Sequence, residues 1–341
     1  MTVAFGLFPV VLFLLTLIYL DSYKLVRRRW VAGALVAGCV VAAACWFVNG
    51  MFQSGLSLSD ETLKRYVAPV VEELAKALLI VGLVRTNRIG FLVDAAIYGF
   101  AIGTGFAVVE NICYWYTHSL ADLPLNLWLV RGFGTALMHG GSTAIFGISG
   151  KTLAERRGLP GGTGWVIALG MAIVIHSAFN HFFLSPVLST AFILIVLPPL
   201  IFTAFERGEK ALEDWLNVGF DADTQVLEMI LSGNLSDAPV GAYLRSLKER
   251  FRGEVVVDML CFLRLHLELS LRAKGLLMMR EAGFPVSLDT ADRASLDELD
   301  FLERSIGATG KLAMAPFVRT SSRDLWQIYM MRDEAARSGI S

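Results

Sequence analysis

The sequence predicts an all-α polytopic membrane helix bundle of about seven spans, N-terminus outside and C-terminus cytoplasmic, joined to a C-terminal cytoplasmic helical domain. Three observations predict it. Of 341 residues, 55% are hydrophobic and only 18% charged, with a mean hydropathy of +0.57, a balance too apolar for a soluble protein. Apolar runs of membrane-span length recur as far as Phe205. Lys and Arg gather in alternate loops, as they do on a cytoplasmic face. A formal net charge of -1 gives no bulk attraction to nucleic acid, which is not expected as a partner.

The first run, Val3 to Leu20, has no basic residue ahead of it and Lys24, Arg27, Arg28 and Arg29 just behind it. That order is a reversed anchor and the opposite of a cleavable signal peptide. Val31 to Val48 follows, then Tyr66 to Val84, which is interrupted by Glu72, Glu73 and Lys76. Phe91 to Thr117 carries Glu110, Leu127 to Ser149 carries His139, and Gly164 to Leu184 carries His176 and Asn180. Val187 to Phe205 closes the series. Arg85 and Arg88, then Lys151, Arg156 and Arg157, then Arg207 and Lys210 fall on the same side as the Arg27 cluster, which sets the orientation. Lys64 and Arg65, offset by Asp60 and Glu61, are the discordant pair.

From Glu206 to Ser341 the chain is charge-rich and broken by Gly233, Pro239, Gly253, Gly283, Pro285 and Pro316, with helical periodicity between the breaks. Its longest apolar stretch, Val255 to Met279, holds Arg264, His266, Glu268, Arg272 and Lys274, too many charges for a span. The expected organisation is a transmembrane domain over 1–205, with its motifs in 66–184, and a cytoplasmic domain of four or five helices over 206–341 without a catalytic signature. Cys39, Cys45, Cys113 and Cys261 have no CxxC spacing and read as small buried hydrophobes.

Ionisable side chains at bilayer depth cost roughly 2.5 to 3.5 kcal/mol each on insertion scales, so the polar residues in these runs need partners or a task. Their depths agree. At roughly 1.5 Å of rise per residue, Glu72 lies roughly 9 Å below the outer end of its span, Glu110 roughly 10 Å, His176 roughly 12 Å and His139 roughly 18 Å. Lys76 stands three residues from Glu73 and four from Glu72, within reach of either carboxylate. His176 and Asn180 share a helix face. Gly99 with Gly103, and Gly134, Gly140 and Gly141 around His139, permit close helix approach.

Two histidines with one or more carboxylates complete a catalytic zinc site with an open water position, and a spare glutamate serves as general base. Asn180 would orient a histidine or stabilise an oxyanion. The matching activity is hydrolysis of a peptide bond in another membrane-anchored protein. Buried Glu and His chains also build proton or cation pathways, so a transporter or a non-enzymatic membrane sensor is the alternative. His118, His181 and His266 read as incidental, and Asp94 as snorkelling from the end of its span.

The ordered motifs Glu72-Glu73-Leu-Ala-Lys76, Phe106-Ala-Val-Val-Glu110-Asn111, Met138-His139-Gly140 and His176-Ser-Ala-Phe-Asn180 resemble those of the PrsW family of intramembrane proteases, related to the CAAX prenyl endopeptidases and the CPBP proteins. The resemblance covers roughly Asp60 to Leu184. It implies a multi-pass protein of a bacterial inner (cytoplasmic) membrane that makes the first, extracytoplasmic cut in a membrane-anchored anti-sigma factor. It also implies that Glu72, Glu73, Glu110, His139 and His176 form the catalytic set, with Asn180 beside them. Zinc held by Glu110, His139, His176 and Glu72 is one expectation; a metal-free site, with a glutamate activating water and His and Asn as the oxyanion hole, is the other. Relatives of the CAAX type carry histidine where this chain has Glu110, which makes the present site richer in carboxylates.

Overall fold

The computed structural model describes residues 2–21, 23, 25–117, 130–155, 162–181, 183, 185–233, 239–318 and 322–338. Among the described residues every regular element is helical: α1 (Thr2–Leu20), α2 (Arg28–Gly55), α3 (Ala68–Arg85), α4 (Leu92–Thr117), α5 (Thr135–Ala154), α6 (Thr163–His181), α7 (Pro186–Leu231), α8 (Pro239–Leu247), α9 (Gly253–Glu281), α10 (Thr290–Met314) and α11 (Ser322–Ser338). A single turn, Asp60–Thr62, and a π-helical segment, Leu63–Val67, lead into α3; a second π-helical segment, Val130–Gly134, leads into α5. The chain divides into two compact units, Met1–Glu209 and Lys210–Ser341, with the division inside α7. The change of composition after Phe205 therefore falls within continuous helix.

Among the described residues, four helices are long and apolar enough to cross a membrane: α2, α4, α6 and α7. Helices α3 and α5 fall short for physical reasons. Helix α3 has 18 residues and carries Glu72, Glu73, Lys76 and Arg85, while α5 is rich in Gly, Ser and Thr around His139. The side chains that would form a site are the ones that lower the hydropathy.

In the first unit α4 is largely enclosed and packs against α2 on one side and α5 on the other, with α6 against α5. Glycine makes both approaches close. A Cβ on Gly105 would meet the Leu35 carbonyl oxygen of α2 at 2.0 Å, and one on Gly103 would meet the His139 carbonyl oxygen of α5 at 2.1 Å. The outward faces are apolar and exposed, including Val36, Val40 and Phe47 on α2, Val166 and Val174 on α6, and Ile195 on α7. Such surface is stable against lipid and not against water. Asp94 does not snorkel: it is 1% exposed, and its Oδ2 accepts from the Gly90 and Phe91 N–H groups at 2.8 and 3.1 Å. It caps the start of α4, where backbone donors lack partners.

In the second unit α9 packs against α10 and α11, with Met259, Leu263, Ala273, Leu277, Leu299 and Met331 in the core. Helix α10 opens on a reciprocal cap between Asp289 and Asp292. A polar network runs through this core. Lys274 pairs with Asp223, and the Ser270 hydroxyl donates to Asp223 at 2.6 Å and accepts from Gln327 at 3.0 Å. His266 is buried beside it, and burial holds its imidazole below the usual histidine range, against the opposing pull of Asp223, Asp324 and Glu303. Cys261 is exposed, whereas Cys45 is buried; all the cysteines are free thiols.

Candidate active site

The site begins at Pro69, next to the first residue of α3. Proline has no N–H to give to the carbonyl four or five residues back. In this chain those are the carbonyls of Arg65 and Lys64, inside the π-helical segment, where the Ala68 N–H turns to Leu63. Helix α6 supplies the missing donors. The Ser177 hydroxyl donates to the Arg65 carbonyl at 2.6 Å, and the Asn180 amide donates to the Lys64 carbonyl at 2.9 Å. Asn180 thus fastens α6 to the start of α3. One of its two amide N–H donors is engaged there, and the side chain also lines the cavity beside Glu72.

One helical turn into α3, neighbouring glutamates face different surroundings. Glu73 turns inward, its side chain 1% exposed, with Lys76 at 0%. Its Oε1 accepts from Lys76 Nζ at 2.6 Å, from His176 Nδ1 at 2.9 Å and from the Ser142 hydroxyl at 3.2 Å. A buried ion pair persists only when its remaining donors and acceptors are satisfied in this way. Lys76 Nζ also lies 3.0 Å from His139 Nδ1 and over the Phe106 ring, 5.0 Å from its centroid. Glu72 turns toward a cavity of about 390 Å³ that Glu110, His176 and Asn180 also line. The Glu72 carboxylate accepts from Asn49 Nδ2 at 3.0 Å, and its Oε2 lies 3.8 Å from His176 Nε2.

His139 is wholly buried. Its Nε2 lies 2.6 Å from Glu110 Oε2, and its ring packs edge-on against His176 with centroids 4.7 Å apart. Glu110 is the most open of the group, with a side chain 37% exposed. The structure thus brings Glu72, Glu73, Glu110, His139 and His176 together, and one ligand atom each of Glu72, His139 and His176 lie within 4.8 Å of one another. Glu110 stands apart from that trio, bound to one ring nitrogen of His139. Two participants were absent from the sequence reading: Ser142, which follows His139 by three residues, and Asn49. The apolar run ends at Val48, but the helix continues, and Ala42, Trp46, Asn49 and Gln53 form one continuous face of α2 toward the cavity.

The donor set suits a divalent ion such as zinc in type and number. His176 is ready for it: with its Nδ1 proton on Glu73, the Nε2 lone pair faces Glu72, the carboxylate–histidine–metal pattern. His139 needs one proton moved. An ammonium offers donors only, so beside Lys76 the Nδ1 atom is an acceptor and Nε2 donates to Glu110. Holding a metal through Nε2 requires the ring proton on Nδ1, with the Lys76 donors turned to Glu73.

The remaining histidines have other partners. His181 Nδ1 bonds the Ser177 carbonyl at 2.7 Å and its ring stacks on Phe183. His118 lies outside the described residues. A family model described as PrsW family intramembrane metalloprotease matches residues 26–204, more than half of the 341 residues and all of the site. No curated protein and no solved structure gives a match.

Proposed function

This chain belongs to the PrsW family of intramembrane proteases, and we propose that it cleaves its membrane-anchored protein substrate at a metal-assisted site in which Glu72, His139 and His176 hold a divalent ion, zinc by ligand type. The observation that carries the reading is the meeting of these three ligands, from three helices, within 4.8 Å. When bound, the ion acidifies water and polarises the scissile carbonyl. The protein does the rest. Glu73 fixes the His176 ring through Nδ1, His139 would give the ion its Nε2 with the Lys76 donors turned to Glu73, and Glu110, released from that nitrogen and open to the cavity, takes the proton of the attacking water and returns it to the leaving amine. Membership of a peptidase family replaces the transporter or sensor reading.

The proposal extends to placement. Seven spans, with α3 and α5 counted among them because their charges are turned inward, put the N-terminus outside and residues 206–341 in the cytoplasm; support comes from the Lys and Arg of alternate loops. By its family resemblance the substrate is an anti-sigma factor of a bacterial inner membrane, cut at its extracytoplasmic side. One observation favours a second, metal-free mechanism. Lys76 on His139 Nδ1 leaves the Nε2 proton with Glu110, which suits Glu72 activating water directly.

The test is cleavage of a single-span anti-sigma factor, tagged at both ends, in membranes. Glu72→Gln, Glu110→Gln, His139→Ala and His176→Ala should each lower the rate at least about 10²-fold at unchanged protein level, as loss of a member of one chemical unit does. His181→Ala should retain activity. Wild-type cleavage by His139→Ala or His176→Ala would overturn the assignment.

A further inference from the structure

Helix α2 contributes no motif residue, yet it walls the cavity opposite α3, and one side chain on it reaches the trio. Asn49 Nδ2 donates to Glu72 at 3.0 Å. A carboxylate accepts and does not donate, so this bond fixes which end of the Asn49 amide is nitrogen. The other end, Oδ1, is buried and has no protein partner among the described residues. Such an acceptor costs about 1 to 3 kcal/mol, and a fold keeps it only where the group is held for another reason. Here that reason is Glu72. Of its two oxygens, one is tied by Asn49 and the other faces His176 Nε2 at 3.8 Å, so the amide from α2 decides which oxygen is presented to the histidines. Gln53, one turn further along the same face, bonds Asp60 at 2.5 Å and does not touch Glu72.

We infer that Asn49 is a positioning residue of the hydrolytic site, holding the Glu72 carboxylate so that its second oxygen points at His139 and His176 as a metal ligand. This rests on the metal-assisted reading above. Groups that orient ligands in this way are worth about 10- to 100-fold in metal affinity.

The experiment measures zinc affinity of the full-length protein in detergent by competition with a chromophoric chelator, and the visible spectrum of the cobalt-substituted protein as a report of ligand geometry. Asn49→Leu keeps the side-chain size and removes the donor; Asn49→Ala removes both. Each should bind zinc about 10- to 100-fold more weakly with an altered cobalt spectrum, while Gln53→Ala stays within about twofold of wild type, as a residue outside the ligand shell should. Unchanged affinity and spectrum in both Asn49 variants would overturn the inference. So would equal weakening by Gln53→Ala, which would mark a general disturbance of α2. A wild-type protein that binds no zinc would bring down the metal reading and this inference with it, an outcome distinct from zinc binding that ignores Asn49.

Discussion

Replacing Gly103 with alanine tests whether the contact between α4 and α5 sets the catalytic geometry. The added Cβ would lie 2.1 Å from the His139 carbonyl oxygen, 2.4 Å from its carbon and 2.6 Å from the Gly140 nitrogen. These are backbone atoms of a helix and have no rotamer to change. That carbonyl is also held by the Thr143 hydroxyl at 2.9 Å, so it cannot turn aside without breaking that bond. Restoring an ordinary contact of 3.4 Å requires α5 to withdraw by about 1.3 Å at His139. Overpacking of this kind costs about 1 to 3 kcal/mol, which a membrane bundle survives. A displacement of about 1 Å at a catalytic group costs about 10²-fold in rate. Gly103→Ala should therefore fold, with a modestly lowered melting temperature, and lose about 10²-fold in cleavage of the tagged substrate. Gly82→Ala, whose Cβ would meet nothing within 4 Å, is the control and should keep full activity. Full activity in Gly103→Ala, at normal protein level, would refute the claim that the backbone behind His139 is fixed by α4.

Two other outcomes follow from buried charge. Lys76→Met leaves Glu73 unpaired in the interior and should cost about 3 to 5 kcal/mol of stability in detergent melts; adding Glu73→Gln should recover most of it without restoring cleavage, because both histidines lose an anchor. In the second unit, burial holds the folded-state pKa of His266 below the usual histidine range. The unfolded state then binds more protons as pH falls through that value, so stability rises with pH there and is lost on acidification, by at most about 1.4 kcal/mol per pH unit. Protection of the α9 amides, corrected for the base-catalysed intrinsic exchange rate, should weaken between pH 7 and pH 5, and His266→Gln should flatten that dependence; an unchanged pH profile in the variant would assign the effect elsewhere.

The helices and the meeting of Glu72, Glu110, His139 and His176 were legible because hydrophobic run length and helical rise are local quantities. Two glutamates in an apolar run announce a buried site whatever surrounds them. What sequence spacing could not supply was direction across the bundle. Glu72 and Glu73 look alike as neighbours, but only the packed helices show that Glu73 holds Lys76 and His176 while Glu72 faces the cavity. Lys76 was legible as a partner for Glu73 at i,i+3, whereas its contact with His139 spans 63 positions and depends on α5 lying against α3. Asn180 is legible as a candidate by residue type and helix face, but its bond to the Lys64 carbonyl is not. The proline that frees the Lys64 carbonyl for it lies 111 residues away in sequence. Asn49 was lost by one position, where an apolar run stopped and the helix continued to Gly55. His266 was read on a charged stretch and is buried, because α9 hides its polar residues in a network with Asp223 and Asp324 that no single helix displays.

The most direct test of the central claim is metal analysis of the purified wild-type protein, run beside its cleavage activity. The account predicts near-stoichiometric zinc, lost in His176→Ala and Glu72→Gln, and activity that falls with a membrane-permeant chelator and returns with added zinc. Protein that is fully active and free of metal would contradict it, and would move the chemistry to Glu72 as the direct activator of water.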